Sequence, residues 1–479
     1  MSKLVDVLRT EDVLTTNGMT SNSTSLNNCV DLFFNGGASR GKGKDYIINL
    51  FTKAYGENPL VAMRLLFYLR DIRGGAGERQ IFRDIVSYMA KNNKDSMVKN
   101  IQLISEFGRW DDILYLIGTP LEKQALDIIK NGLKDEKVNS LISKWLPRPS
   151  VKNKTKKVIA ETVRKHLKLS PKEYRKMLVE LSNTVEQVMC SKNWSTIEYS
   201  KLPSRAMADY MKAFSKNDPI RFQAYMDALD KGETKINAGA IYPYDIIKSM
   251  RNGVAQGANA QWNALPNYMV GNTERLLPMC DVSGSMGCPA GQNPNVTCLD
   301  VCISLGLYIS ERNEGIFKDA FMTFSRHPKI QVLKGSLSER YNQLSRASWD
   351  MNTNLESAFK TILDKAIKHN VPEHEMPTMI VIFSDMQFDS CKNRSWNPTA
   401  QQMIEAEYSE AGYKTPKIVF WNLNSSNSDS PVSFDKQNTA LVSGFNTSLL
   451  TSLLAGKDLT PISMMLDVIN SERYSKITI

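Results

Sequence analysis

A chain of 479 residues is longer than one ordinary hydrophobic core supports, and 42% hydrophobic with 23% charged residues excludes a disordered or fibrous protein. No apolar run approaches the length that crosses a bilayer and the N-terminus lacks a signal-peptide core, so the sequence predicts a cytoplasmic protein with no membrane partner. The net charge of +10 is unevenly placed: residues 1–269 carry 41 Lys+Arg against 28 Asp+Glu, and residues 270–479 carry 19 against 22. The first part therefore stands at +13 and the second at −3, which predicts a polyanion partner for the first and a cation-type site in the second. Seven cysteines, an odd number without close pairing, predict reduced thiols. Cys298 and Cys302 have helical spacing, but with four His in the chain and no Cys-x-x-Cys they read as small buried hydrophobes and not as zinc ligands.

Residues 1–28, with Thr15, Thr16, Asn17, Ser21, Asn22 and Ser23 clustered, read as a loosely ordered lead-in. From Asp45 to about Ala260 apolar residues recur at helical spacing, as in Tyr46, Ile47, Leu50, Phe51 and Tyr55 or in Ile81, Ile85 and Met89. Tight punctuators such as Gly56-Glu57-Asn58-Pro59 separate these stretches. Residues 29–268 are thus expected to form an α-helical repeat domain of the HEAT-like kind, although no clean fixed period emerges. From residue 269 to 479 strands alternate with helices. Strands are predicted at 276–280, 320–324, 330–333, 379–383, 418–421 and 440–443, and helices at 301–309 and 355–367. Apolar strands bounded by helices imply a mostly parallel, doubly wound α/β domain, so the whole chain reads as multidomain α + α/β.

Two carboxylates follow apolar strands, Asp281 and Asp385, and ligands collect beyond the carboxyl ends of such strands. Asp281, Ser283 and Ser285 alternate in Asp-Val-Ser-Gly-Ser, where Gly284 and Gly287 allow a sharp turn. Hard oxygens in this number suit Mg²⁺ or another divalent cation. The motif resembles the DxSxS metal-ion-dependent adhesion site of von Willebrand factor A-type (vWA) domains, which are doubly wound and Rossmann-like. That resemblance covers about the last 200 residues. It implies that Thr353, in Asp350-Met351-Asn352-Thr353-Asn354, and Asp385 complete the metal set. It also implies that Ser283, Ser285 and Thr353 bind directly while Asp281 and Asp385 act largely through water. One coordination position is then left for an acidic side chain of a protein partner. Taken singly, a DxSxS run can be a helix cap and Asp385 a turn residue; the set carries the reading.

No nucleophile or general base accompanies this site, and His166, His327, His369 and His374 fall in polar stretches, so no enzymatic activity is expected. Residues 73–79, Arg-Gly-Gly-Ala-Gly-Glu-Arg, lack the Lys-Ser/Thr ending of a P-loop and read first as an interhelical turn, with Arg73 and Arg79 still available to a phosphate. The densest basic stretch, residues 144–176, includes Arg148, Lys152, Lys154, Lys156, Lys157, Arg164, Lys165 and Lys168 against only Glu161 and Glu173. A smaller group is Arg40, Lys42 and Lys44. Such clusters on helices fit RNA phosphates, and Trp145, Tyr174 and Trp194 could stack bases; the alternative is a solvated face over core aromatics. A helical half followed by a vWA domain resembles the Ro autoantigen (TROVE) family, which implies binding of small non-coding RNA and of single-stranded ends. Residues 31–37, 69–79 and 201–204 and the Asp281 turn are also similar to a viral and plant family of the same layout, for which a viral member would act in host cytoplasm. The expected function is a Ro-like RNA-binding scaffold with a metal-dependent ligand module. The alternative is a protein-interaction adaptor, virion-associated or ATPase-linked, with no nucleic-acid role.

Overall fold

The structure is a computed structural model that describes residues 12–251, 255–290, 296–324, 328–346, 353–391, 397–425, 428–455 and 458–479. His327 and residues 350–352, which precede Thr353, lie outside the described residues.

The N-terminal half is helical. Helix Lys44–Glu57 ends and helix Pro59–Arg70 begins at one residue, Asn58, whose N–H donates to Ala54 and whose side chain accepts from the Val61 N–H at 3.1 Å. Pro59 sits in the first turn, where its missing N–H costs nothing and its fixed φ suits a helix start. Pro59–Arg70 is buried on nearly every side, because helices Asn28–Gly36, Lys44–Glu57 and Arg79–Asn92 surround it. Farther along, residues 197–236 form a small second core of their own around Met207, Met211, Phe214 and Phe222.

In the C-terminal part six strands make one mixed sheet. They are β3 (Leu276–Asp281), β4 (Ala320–Phe324), β5 (Lys329–Val332), β6 (Met379–Ser384), β7 (Lys417–Asn422) and β8 (Thr439–Ser443), in the order β5-β4-β3-β6-β7-β8. Within this sheet β4 and β5 pair antiparallel, and the other neighbouring strands pair parallel. β3 and β6 are buried throughout and apolar up to their last residues, Asp281 and Ser384, as befits strands covered on both faces. Helix Cys298–Arg312 crosses β3 so closely that a Cβ on Gly306 would lie 2.5 Å from the Cys280 Sγ. The chain runs from β3 to β4 on one side and later returns to β6 on the other. The strand order therefore reverses at the β3/β6 pair, the switch point at which an open α/β sheet leaves a crevice.

Two features differ from the expected layout. Residues 12–28 are not a loose lead-in: β1 (Asp12–Leu14) and β2 (Thr20–Asn22) pair antiparallel and strap the α/β part. The Thr15 hydroxyl donates to Phe388 O at 2.7 Å, and Asn22 and Ser430 exchange backbone hydrogen bonds of 2.9 and 2.8 Å. The Ser, Thr and Asn content that resembles a loop is what ties this segment to polar backbone.

The boundary near residue 268 also does not divide two cores, since one continuous cluster runs from Met19 to Ile477. Helix Asn28–Gly36 packs on β8, where the Ser443 hydroxyl donates to Phe33 O at 2.7 Å and accepts from the Gly37 N–H at 3.1 Å. At the other end of the chain, Arg473 and Tyr474 reach back to the buried carboxylate of Asp71, with an Arg473 Nη2 to Oδ1 distance of 2.7 Å.

Candidate functional site

β3 ends on Asp281 and β6 on Ser384, so the next residues of both strands emerge at the switch point. The Asp281 carboxylate is fully buried, accepting from the Ser283 N–H at 2.9 Å and from the Ser384 hydroxyl at 2.6 Å. Burial first, and then the Asp385 carboxylate, push Asp281 up to about 7, against the hydrogen bonds from Ser283 and Ser384. Burial likewise raises Asp385, against hydrogen bonds from the Gln387 N–H and from Ser285. The hydroxyls of Ser283 and Ser285 lie 3.0 Å apart. The structure thus brings Asp281, Ser283, Ser285 and Asp385 to one spot.

Thr353 joins through an intermediary. Buried at the start of helix Leu355–Lys368, its hydroxyl accepts from Asn17 Nδ2 at 3.5 Å; the same amide donates to Gln387 O at 2.6 Å, two residues beyond Asp385. Asn17, Ser384 and Gln387 were not legible as site residues. Ser384 directly precedes Asp385 and could have been suspected, whereas Asn17 is brought here only by the β1–β2 strap.

The sharp turn after β3 does not need its glycines as expected. Neither Gly284 nor Gly287 has a positive φ; they bound a single 3-10 turn, Gly284–Gly287. The left-handed residue at this rim is Met386, at φ 63°, a conformation that costs a non-glycine residue on the order of 1 kcal/mol and persists where its surroundings fix it. Behind the serine turn the Cys288 and Cys298 thiols approach to 3.4 Å, and all seven cysteines are free. Cys298 and Cys302 are both buried.

Among the described residues, no group of three or more His, Cys, Asp or Glu side chains could hold a metal ion. The rim offers two carboxylates with hydroxyls instead, a set of hard oxygens that suits a small dication better than a soft metal.

The basic residues fall into separate groups. Lys154, Lys156, Lys157, Arg164 and Lys165 lie on helix Lys154–His166, started by Asn153 accepting from the Lys156 N–H at 3.0 Å. Lys152, Lys154, Lys156, Lys157, Lys165 and Lys168 are exposed, while Arg148 and Arg164 are half-buried and Arg164 pairs with Glu161 at 2.6 Å. The aromatic stackers fare worse. Tyr174 is wholly buried, the Arg109 guanidinium covers the Trp145 ring at 3.7 Å, and Trp194 packs against the small second core. Lys42 and Arg79 line one cleft, with Lys44 near Asp84 on its wall, whereas Arg73 is exposed outside it. Residues 73–79 form an interhelical turn. A Cβ on Gly75 would meet Tyr68 O at 1.9 Å, and one on Gly77, at φ 70°, would meet the Tyr242 hydroxyl at 2.1 Å.

Helices joined to a switch-point α/β sheet through one core define a two-part α + α/β protein. Residues 15–145 and 138–273 match the family described as a domain of unknown function (DUF2828), and residues 276–474 match a second, also described as a domain of unknown function (DUF7788). The chain belongs to the DUF2828 family. It is 30% identical over 506 residues to a protein of Acanthamoeba polyphaga mimivirus titled "Uncharacterized protein L728", a match covering 95% of this chain and 86% of the relative. No helix of the described residues is long and apolar enough to cross a membrane.

Proposed function

We propose that this chain is a non-enzymatic scaffold. Its vWA-type module takes Mg²⁺ or another divalent cation, and its HEAT-like helical array contacts RNA. Ser283, Ser285 and Thr353 are the direct oxygen ligands in this reading; Asp281 and Asp385 act through water, and an acidic side chain of a protein partner completes the shell. The bound cation supplies the anchor for that acidic group.

The observation that carries this reading is the meeting of Asp281 and Asp385 in a buried place. One carboxylate raises the other there, and a dication between them relieves both desolvation and repulsion. Neighbouring ligands of an octahedral Mg²⁺ stand about 3 Å apart, and the two serine hydroxyls are separated by 3.0 Å. That spacing also suits a simple hydroxyl hydrogen bond, so thermal melting with and without Mg²⁺ decides. A cation at 100 times its Kd adds about 2.7 kcal/mol of stability. Equal melting curves in the unmodified protein would overturn the metal reading.

The RNA part is supported by the exposed lysines 152, 154, 156, 157, 165 and 168, most of which have no carboxylate within reach among the described residues. In the rival reading the chain is an adaptor and this face only keeps it in solution. A gel shift across a salt series separates the two: the scaffold binds RNA at low salt and releases it steeply as salt rises, and the adaptor does not bind.

A further inference from the structure

Between the 36–43 loop and the start of helix Arg79–Asn92 lies a cleft of about 510 Å³ whose wall carries six cations: Arg40, Lys42, Arg70, Arg79, Arg83 and Arg109. Four carboxylates answer them. Glu78 holds Arg40 at 2.6 Å, Asp112 holds Arg70 at 2.7 Å and Arg83 at 2.6 Å, Asp111 holds Arg83 and Arg109 at 2.6 Å each, and Asp84 sits on the wall.

The open position on this wall is at Arg79, whereas Arg40, Arg70, Arg83 and Arg109 are each held by a carboxylate. The Arg79 side chain has no hydrogen-bond or ion-pair partner among the described residues, and it faces Arg83 and Arg109, which, after burial, hold its guanidinium below the ordinary range. Arg79 also opens its helix. Glu78, the preceding residue, makes no side-chain cap, so the first-turn N–H groups of residues 79–81 are left at the cleft wall. Guanidinium groups fixed by carboxylates behind them keep their outer N–H groups aimed forward, an arrangement that matches a phosphate oxyanion.

We infer that this cleft binds a phosphate dianion, as a monoester or diphosphate group, seated on Arg79 between Arg83, Arg109 and the open helix start. Two sources supply that chemistry: a free nucleotide and the terminal phosphate of an RNA strand. The cleft is built from residues other than the carboxylate rim and the lysines of helix Lys154–His166, so it does not rest on either of those readings.

Calorimetric titration of the full chain in EDTA, which silences any cation site, provides the test. The probes are inorganic pyrophosphate, ADP, and one oligoribonucleotide with either a 5′-phosphate or a 5′-hydroxyl. Pyrophosphate should bind once per chain, at least ~10-fold more weakly to Arg79→Gln and by an intermediate factor to Arg79→Lys, while Lys216→Gln, at an exposed position away from the cleft, binds normally. ADP binding more tightly than pyrophosphate assigns the cleft to nucleotides; preference for the 5′-phosphorylated strand over the 5′-hydroxyl strand, lost in Arg79→Gln, assigns it to RNA ends. Because Arg79 has no partner to lose, Arg79→Gln should melt as the unmodified protein does, and a melting control verifies this. Absence of saturable pyrophosphate binding, or equal affinity in Arg79→Gln, overturns the inference.

Discussion

The two charged regions of this chain are held in opposite ways. At the sheet rim, Asp281 and Asp385 are buried together and like charges face one another, whereas the lysines of helix Lys154–His166 point into water, where screening makes their mutual repulsion small. A buried like-charged pair is costly until something binds it; an exposed basic face costs little with or without a ligand. Burial therefore argues for a ligand at the rim more strongly than composition argues for one on the helix.

That contrast can be broken or sharpened by substitution, taking the largest effect first. Both regions depend on the junction between the halves. Gly75→Ala, which forces a Cβ to 1.9 Å from Tyr68 O, should destabilise the chain by about 3 kcal/mol or more, read by urea unfolding. Asp71→Asn, which weakens the grip of Arg473 and Tyr474 on a buried carboxylate, should cost about 2 to 3 kcal/mol by the same measurement.

At the rim, Asp281→Ala should erase the Mg²⁺-dependent rise in melting temperature and leave RNA affinity nearly unchanged. A mutant that keeps the rise would show that the cation binds elsewhere. The pH dependence has a definite sign. The Asp281 carboxyl is raised from its ordinary value to about 7, so without a cation its protonated form stabilises the fold at low pH, and that contribution is lost as pH rises through 7. Mg²⁺ competes with this proton, so the melting rise caused by Mg²⁺ should be larger at pH 8 than at pH 5.5. On the helix the effects are smaller. Lys154→Gln, Lys157→Gln and Lys165→Gln combined should reduce the salt slope of RNA binding by about 2, while changing stability by no more than about 0.5 kcal/mol per site.

The sheet was the most legible part of the sequence. All six strands fall within a residue or two of their expected places, because an apolar run bounded by turns has little choice once both of its faces are covered. Asp281, Ser283, Ser285 and Asp385 could be read because each follows such a run at close range. Asn17 could not, since only the long-range pairing of the strap with residues 387–389 and 430 brings it near Thr353. Arg79 and the group Arg40, Lys42 and Lys44 stood out separately in the sequence, but the same limit hid the cleft that joins residues 39–42, 70–84 and 109 through packing that no local periodicity reports. Tyr174 shows the converse: its place in a basic stretch suggested a stacking role, but it faces inward and donates to Pro147 O at 3.2 Å.

The most direct test of the rim is a calorimetric titration of the full chain with Mg²⁺ at pH 8, beside the double variant Ser283→Ala and Ser285→Ala. One binding event per chain that disappears in the variant, with its unfolding otherwise unchanged, is the predicted result; heat of binding that is absent from the unmodified protein or retained in the variant would contradict it.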